Sequence, residues 1–374
     1  MTLISFHSNI IHEIASHLDE PSIVATRFVC HRLHDVLKNP PHAAAQFCAL
    51  AAEEGYLNLL KWGTEAGAPN DARLVPHRAA KYGQLKVLQW INSGTLFYHS
   101  SITSGAAEGG LKVLQWVVCQ GKWRDLPKWH LNTCAIAAGK GDLEMLRWVK
   151  ERGAPWSNDV TYEAAKEGHL ELLRWAIENG AGWHPRVCAI AAENGHVEVL
   201  KWARSNGALW EDRVVGRQAI MNGHVHVLQW MHDFSIPLPS DLSVLAAQFQ
   251  RIKVLEWAKQ RGYAIDSEVC KAAARNGNLE ILKWARANGV DWHADTCMEA
   301  AQFRNIEVLE WARASGAPDD ARVFTSNYVD VLWWALGNGL PINLKVISGL
   351  VRKKMPADVI AWHQANGTMS NKLP

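Results

Sequence analysis

Glu163-Ala164-Ala165-Lys166-Glu167-Gly168-His169-Leu170-Glu171-Leu172-Leu173-Arg174-Trp175-Ala176 returns, with small edits, as Ile190-Ala191-Ala192-Glu193-Asn194-Gly195-His196-Val197-Glu198-Val199-Leu200-Lys201-Trp202-Ala203. A third copy runs from Ala272 through Trp284 to Ala285. Self-similarity at a fixed period marks a repeat architecture and outranks the reading of any single element. Followed on one tryptophan, the copies fall at Trp62, Trp90, Trp116, Trp148, Trp175, Trp202, Trp230, Trp257, Trp284, Trp311, Trp334 and Trp362. The spacings are 28, 26, 32, 27, 27, 28, 27, 27, 27, 23 and 28 residues. The unit is therefore about 27 residues long, with a longer link before Trp148 and a shortened unit before Trp334.

Each unit reads as two short helices. At 100° per residue, Val197, Val199, Leu200, Trp202 and Ala203 cover roughly 240° of the second helix, leaving Glu198, Lys201 and Arg204 as a polar strip. So wide an apolar surface needs neighbours on both sides, which stacking supplies. Gly67, Gly153, Gly180, Gly207, Gly262, Gly289 and Gly316 follow the second helix and suit its left-handed terminating residue. Asp159, Pro185, Asp212, Asp241, Asp266, Asp295 and Asp320 stand where the next helix starts, as capping or first-turn residues. The Gly-His step at Gly195-His196 fits a tight turn between the two helices, and the Ala-Ala pair allows close approach of first helices.

The repeated tryptophan reads as core. Burying an indole removes roughly 200 Å² from water, at most about 5 kcal/mol against an extended chain. Trp156, Trp183, Trp210 and Trp292, just after the glycine, read as loop anchors over the groove between units. Cys48, Cys134, Cys188, Cys270 and Cys297 each precede the first alanine of the Ala-Ala pair by three residues. They are one position seen repeatedly, and imply small buried thiols in a reducing compartment, not a disulfide ladder.

The 374 residues carry 39 basic and 37 acidic side chains, a balance that argues against binding held mainly by phosphate contacts. No run of eighteen apolar residues exists, so no spanning helix is expected. The first residues lack the basic start and apolar core of a secretory signal. These features lead us to expect a cytoplasmic, monomeric protein without nucleic-acid or membrane partners.

Residues 1–40 stand apart from the repeat. Ile10, Ile11, Ile14 and Leu18 recur at helical spacing, Pro21 interrupts, and Ile23, Phe28, Val29, Leu33 and Val36 follow before Asn39-Pro40-Pro41. This is a helical unit too small to bury much surface alone. Its order of residues resembles an F-box: Phe6-His7 at the Leu-Pro position, then Ile10, Glu13, Ile14 and Leu18, then Arg27-Phe28-Val29-Cys30-His31-Arg32-Leu33. His7 and Leu33 replace the proline and the tryptophan of the motif. The resemblance implies docking on the Skp-type adaptor of a cullin–RING ubiquitin ligase through Phe6, His7, Ile10, Ile14, Leu18, Ile23, Val29 and Cys30. The alternative is a helical cap on the open end of the stack.

The repeat resembles ankyrin repeats through Ala-Ala-x-x-Gly-His-Leu-Glu-Val-Leu-Lys and the Gly-Ala after the second helix, over roughly residues 45 to 366. The unit is about six residues shorter than the usual 33, so the β-turn finger is reduced to a tight loop. A short, tryptophan-rich repeat joined to an F-box looks like the large ankyrin families of giant DNA viruses of protists, which implies the host-cell cytoplasm. The expected fold is thus an all-α helical-repeat solenoid, ankyrin-like with reduced fingers, over 41–366. An F-box-like unit precedes it at 1–40, and a tail follows at 367–374.

The least uniform positions lie between the Ala-Ala pair and the turn. They place Tyr82, Lys166, Phe249, Arg275 and Phe303 on a candidate target-binding strip, since interfaces favour aromatic residues and arginine. Phe249 and Phe303 occur in copies that lost the Gly-His turn, so repacking of that turn is the competing explanation. The link from Cys119 to Asn132, with Lys122, Trp123, Arg124, Lys128 and Trp129, is either a binding loop or a spacer. No metal or cofactor site is expected. His12 and His17 are five apart, where a zinc-protease motif needs four, and His224-Val225-His226 has no Cys or carboxylate at ligand spacing. No phosphate-cradling glycine loop or nucleophile elbow is present, so we expect no enzyme. RNA binding, known for other helical repeats, is disfavoured because no basic stripe runs along the units. Two readings remain: an adaptor bringing a target protein to a ubiquitin ligase, and an ankyrin-type scaffold or competitive inhibitor without a ligase link.

Overall fold

The computed structural model describes residues 48–65, 73–93, 101–120, 129–318, 322–323 and 328–338. Among these residues all regular structure is helical. The segments 1–40 and 367–374, and therefore Phe6, His7, Ile10, Ile14, Leu18, Ile23, Val29 and Cys30, lie outside the described residues. The chain divides into two units, Met1–His184 and Pro185–Pro374.

In the first unit the pairs are Leu74–Lys81 with Leu85–Ser93, Ser101–Gly109 with Leu111–Gln120, Thr133–Gly139 with Leu143–Glu151, and Asp159–Lys166 with Leu170–Glu178. In the second they are Val187–Glu193 with Val197–Ser205, Asp212–Asn222 with Val225–Asp233, Leu242–Gln248 with Ile252–Gln260, Glu268–Arg275 with Leu279–Ala287, and Thr296–Gln302 with Ile306–Ala314; Val329–Gly337 follows. Helices of seven to eleven residues do not hold alone in water. Here they persist because, within each unit, first helices pack on one another through their alanines, which are fully buried at Ala191 and Ala192. The closest such packing is between Leu74–Lys81 and Ser101–Gly109, where a Cβ on Gly109 would come within 2.1 Å of the Ala80 carbonyl oxygen.

The expected turn forms as written. His196 N–H donates to the Ala191 carbonyl at 2.8 Å and Gly195 N–H to that of Ala192 at 3.3 Å, with Gly195 at φ +79°, a Schellman ending. The second helix then starts at once, at Val197.

The tryptophans correct the core expectation. Among the described copies, Trp90, Trp116, Trp148, Trp175, Trp202, Trp284, Trp311 and Trp334 are half-buried, and Trp230 and Trp257 are buried. The fully enclosed residues of a second helix are its branched aliphatics and alanine, as at Val199, Leu200 and Ala203. Helical geometry explains this: Trp202 lies about 110° from the centre of the stripe those residues form. The indole therefore covers the flank of the stack, and the stability assigned to it on full burial is an overestimate.

The post-glycine tryptophans do anchor loops. Trp156 Nε1 donates to the Asn179 carbonyl at 3.1 Å, at the C-terminus of the next second helix. Its ring lies against Trp175 with centroids 6.1 Å apart, and Lys150 Nζ lies over it, 4.2 Å from the centroid. Trp292 repeats the arrangement with Ser315, Trp311 and Arg286. Trp129, in the long link, does the same with Arg152 and Trp148, so the end of that link is structural. Lys122, Trp123, Arg124 and Lys128 lie outside the described residues.

The aspartates at helix starts divide: Asp159 and Asp212 take first-turn positions and Asp266 accepts from Glu268 N–H at 3.1 Å, as expected, whereas two others do not cap. Asp241 and Asp295 occupy N-cap positions but make no side-chain cap bond. Their backbones (φ −92°, ψ 22° and φ −89°, ψ 4°) lie far from the extended geometry a capping side chain needs. The first helical N–H groups go instead to the preceding turn, Leu242 to Pro239 and Thr296 to His293. The freed carboxylates bridge repeats, Asp241 to Arg217 at 2.7 Å and Asp295 to Arg322 at 2.6 Å. The Arg322 guanidinium holds the Asp295 carboxyl below the usual carboxylate range. Asp142 also caps its helix, accepting from Met145 N–H at 2.8 Å.

Cys48, Cys134, Cys188, Cys270 and Cys297 are buried free thiols. Burial pushes Cys134 and Cys270 up to about 11 and Cys188 to about 12.

Candidate functional site

In six repeats the residue after the turn reaches back to the preceding repeat. Its side chain bonds a carbonyl at the C-terminus of the earlier first helix: Gln84 to Glu53 at 2.9 Å and His169 to Gly139 at 3.3 Å in the first unit. In the second unit His224 bonds Glu193 at 2.8 Å, Arg251 bonds Met221 at 2.7 Å, Asn278 bonds Ala247 at 3.1 Å, and Asn305 bonds Ala274 at 2.9 Å. Helix C-termini leave carbonyls without intrahelical partners, and these six donors each satisfy one. The turn edge is thereby tied from repeat to repeat, and the residues just before the turn project from a fixed frame.

Tyr82, Lys166, Phe249, Arg275 and Phe303 all sit there, as last residue or C-cap of a first helix. In the first unit Tyr82 is exposed beside Lys81, whose ammonium lies 5.9 Å from the ring and pairs with Glu108 at 2.7 Å. Lys166 is held by Glu163 at 3.4 Å and Glu167 at 3.3 Å, and Glu167 is the larger cause of its raised pKa. It is a paired side chain rather than a free docking cation.

In the second unit Arg275 and Phe303 come together. The Arg275 guanidinium lies 4.8 Å over the Phe303 ring, with Glu299 4.0 Å away. Phe249 is 39% and Phe303 45% exposed, and neither supplies the left-handed residue of its turn. The turn is made instead by Gln250 at φ +60° and Arg304 at φ +61°, where other copies have glycine. A left-handed residue with a side chain costs roughly 1–2 kcal/mol. Arg304 and Tyr328 join the strip and were missed by comparison of pre-turn positions alone. Arg304 lies 5.7 Å over the Tyr328 ring and bonds Asp330 at 2.7 Å. The readable signal was the loss of the turn glycine itself.

Among the described residues no group of three His, Cys, Asp or Glu is placed to hold a metal ion, and no helix is long and apolar enough to cross a membrane. His224 and His226 are bonded to the Glu193 and Gly195 carbonyls.

Residues 3–42 match the family model of the F-box domain, and residues 162–204 match that of ankyrin repeats (many copies). An F-box segment is joined to ankyrin repeats. A search of curated proteins gives no match. Among solved structures, the chain is similar to the pentatricopeptide repeat protein PPR10 from maize, at 13% identity and a TM-score of 0.31. That similarity covers 99% of this chain and 64% of that one, so this chain spans under two thirds of its length. The F-box–ankyrin pairing supports a protein-interaction adaptor. The eight F-box residues named from the sequence all fall within the matched segment.

Proposed function

We propose that the chain recruits a target protein to a cullin–RING ubiquitin ligase. The F-box segment docks on the Skp-type adaptor of that ligase through Phe6, His7, Ile10, Ile14, Leu18, Ile23, Val29 and Cys30. The repeats hold the target so that one of its lysines lies near the ubiquitin-charged enzyme. In this reading the chain binds no cofactor, performs no chemistry itself and works as a monomer in the cytoplasm, that of the host if the protein is viral. The observation that carries the reading is the F-box match over residues 3–42 immediately before the helix pairs. Buried free cysteines suit a reducing compartment.

A second reading is favoured by one observation. His7 and Leu33 stand where the F-box motif has proline and tryptophan. A scaffold or competitive inhibitor, with the first helices serving as a cap, needs neither residue. Copurification separates the two. The ligase reading expects the Skp-type adaptor to accompany the full-length protein and to be lost on deleting residues 1–40. Absence of the adaptor from both samples leaves the scaffold.

A further inference from the structure

The second unit carries the same tetrapeptide, Ala-Ala-Gln-Phe, at 246–249 and 300–303. Both copies end the first helix with an exposed phenylalanine and follow it with a left-handed residue that is not glycine. The turn requires neither departure: the rings stay partly in solvent and the backbone conformation disfavours a side chain. The pairing also occurs once after a second helix, at Phe234-Ser235, but only the pre-turn edge repeats it, and strain with exposed aromatic surface repeated on one edge marks a functional surface more than a structural one. The copy between them keeps its glycine and contributes Arg275 instead. Its side chain is 54% exposed, and its guanidinium packs on Phe303.

We infer that this edge binds an extended acidic peptide segment of the target, with two apolar side chains flanking a carboxylate. The inference rests on the reading of the repeats as the target-capturing part. Phe249 and Phe303 lie two repeats apart, about 20 Å at the usual separation of packed helices. An extended chain covers that distance in about six residues. Residues i and i+6 of a strand face the same side, so one apolar residue meets each phenylalanine. A carboxylate at i+2 or i+4, on that same side, meets Arg275. Stacked on a ring, the guanidinium keeps in-plane donors for a carboxylate. Its present acidic neighbour, Glu299, is buried and 4.0 Å away, which leaves room for a closer partner. The exposed Gln248, Gln250 and Gln302 supply hydrogen-bonding groups between these anchors.

The aromatic–arginine pairing also suits RNA bases. A peptide is favoured because Arg304 is bonded to Asp330 and Arg251 to the Met221 carbonyl, so Arg275 offers one cation for a single carboxylate rather than a row for successive phosphates.

The test is selection of a phage-displayed random dodecapeptide library on the purified full-length protein. The expected consensus has apolar residues at i and i+6 with Asp or Glu at i+2 or i+4. A Phe249→Ser/Phe303→Ser double variant is expected to lose enrichment at least tenfold. Arg275→Glu is expected to turn the central acidic preference into a basic one. All three positions are exposed, and unchanged helical circular dichroism and melting confirm folding. A consensus without this pattern, no enrichment, or equal enrichment on the double variant overturns the proposal. So does phenylalanine-dependent binding of a uridine 20-mer, read by fluorescence anisotropy, which assigns the edge to RNA. Copurification of the Skp-type adaptor is measured on the same variants. It is expected to be unchanged, so loss of ligase docking and loss of peptide binding are read separately.

Discussion

His224 bonds back across the repeat boundary to the carbonyl of Glu193, with 2.8 Å between Nε2 and oxygen. The acceptor places the imidazole proton on Nε2, and the bond closes the C-terminus of helix Val187–Glu193. Replacing His224 by Leu removes the donor and leaves the carbonyl under-satisfied. We expect a loss of about 1–2 kcal/mol by urea denaturation. His224→Asn or His224→Gln restores part of it, since asparagine and glutamine fill the same role at Asn278, Asn305 and Gln84. Equal stability of the leucine and asparagine variants speaks against the capping role.

The same histidine explains why two glycines with one backbone conformation differ. Gly195 and Gly207 have φ of +79° and +81°. A Cβ on Gly195 would come 2.7 Å from His224 Nδ1, whereas one on Gly207 meets nothing within 4 Å. Gly207→Ala should cost about 1 kcal/mol from backbone strain alone. Gly195→Ala should cost about 2–3 kcal/mol, because the cap is displaced as well. In the reverse direction, Gln250→Gly should stabilise by up to about 1 kcal/mol.

Trp156 tests the loop anchors. Trp156→Phe keeps an aromatic ring for Lys150 and Trp175 but removes the bond to Asn179. The expected loss is about 1 kcal/mol in the denaturation midpoint. No change would mean that the ring contacts alone hold the loop.

Much of this was legible in the sequence. The period, the helix pairs, the Gly195 turn and the shared place of Cys188 and Cys270 follow from residues a few positions apart. What was not legible depends on register between repeats. Gln84, His169, His224, Arg251, Asn278 and Asn305 look like drift at one position, yet all supply a donor to a carbonyl about thirty residues earlier. Trp202 was placed in the core because an apolar arc does not reveal which part of it meets the next helix. Asp241 and Asp295 carry capping side chains on a backbone unsuited to capping. On the candidate strip, the positions of Phe249 and Arg275 were found, but Lys166 could not be known to be paired.

The buried thiols give a pH dependence. Cys134, Cys188 and Cys270 are raised from an ordinary value of 9.0 to about 11, about 12 and about 11. Above pH 9 the unfolded chain releases these protons before the folded chain does, so stability falls as pH rises from about 9 toward 12. Replacing the three by alanine should flatten that slope. At pH 8, iodoacetamide should label the exposed Cys119 well before these three, as read by peptide mass spectrometry.

The adaptor reading is tested most directly by mixing the purified full-length chain with a recombinant Skp-type adaptor and measuring mass by size-exclusion chromatography with light scattering. The account predicts a single complex of one chain and one adaptor, absent when residues 1–40 are removed. Two unshifted peaks with the full-length chain would contradict it.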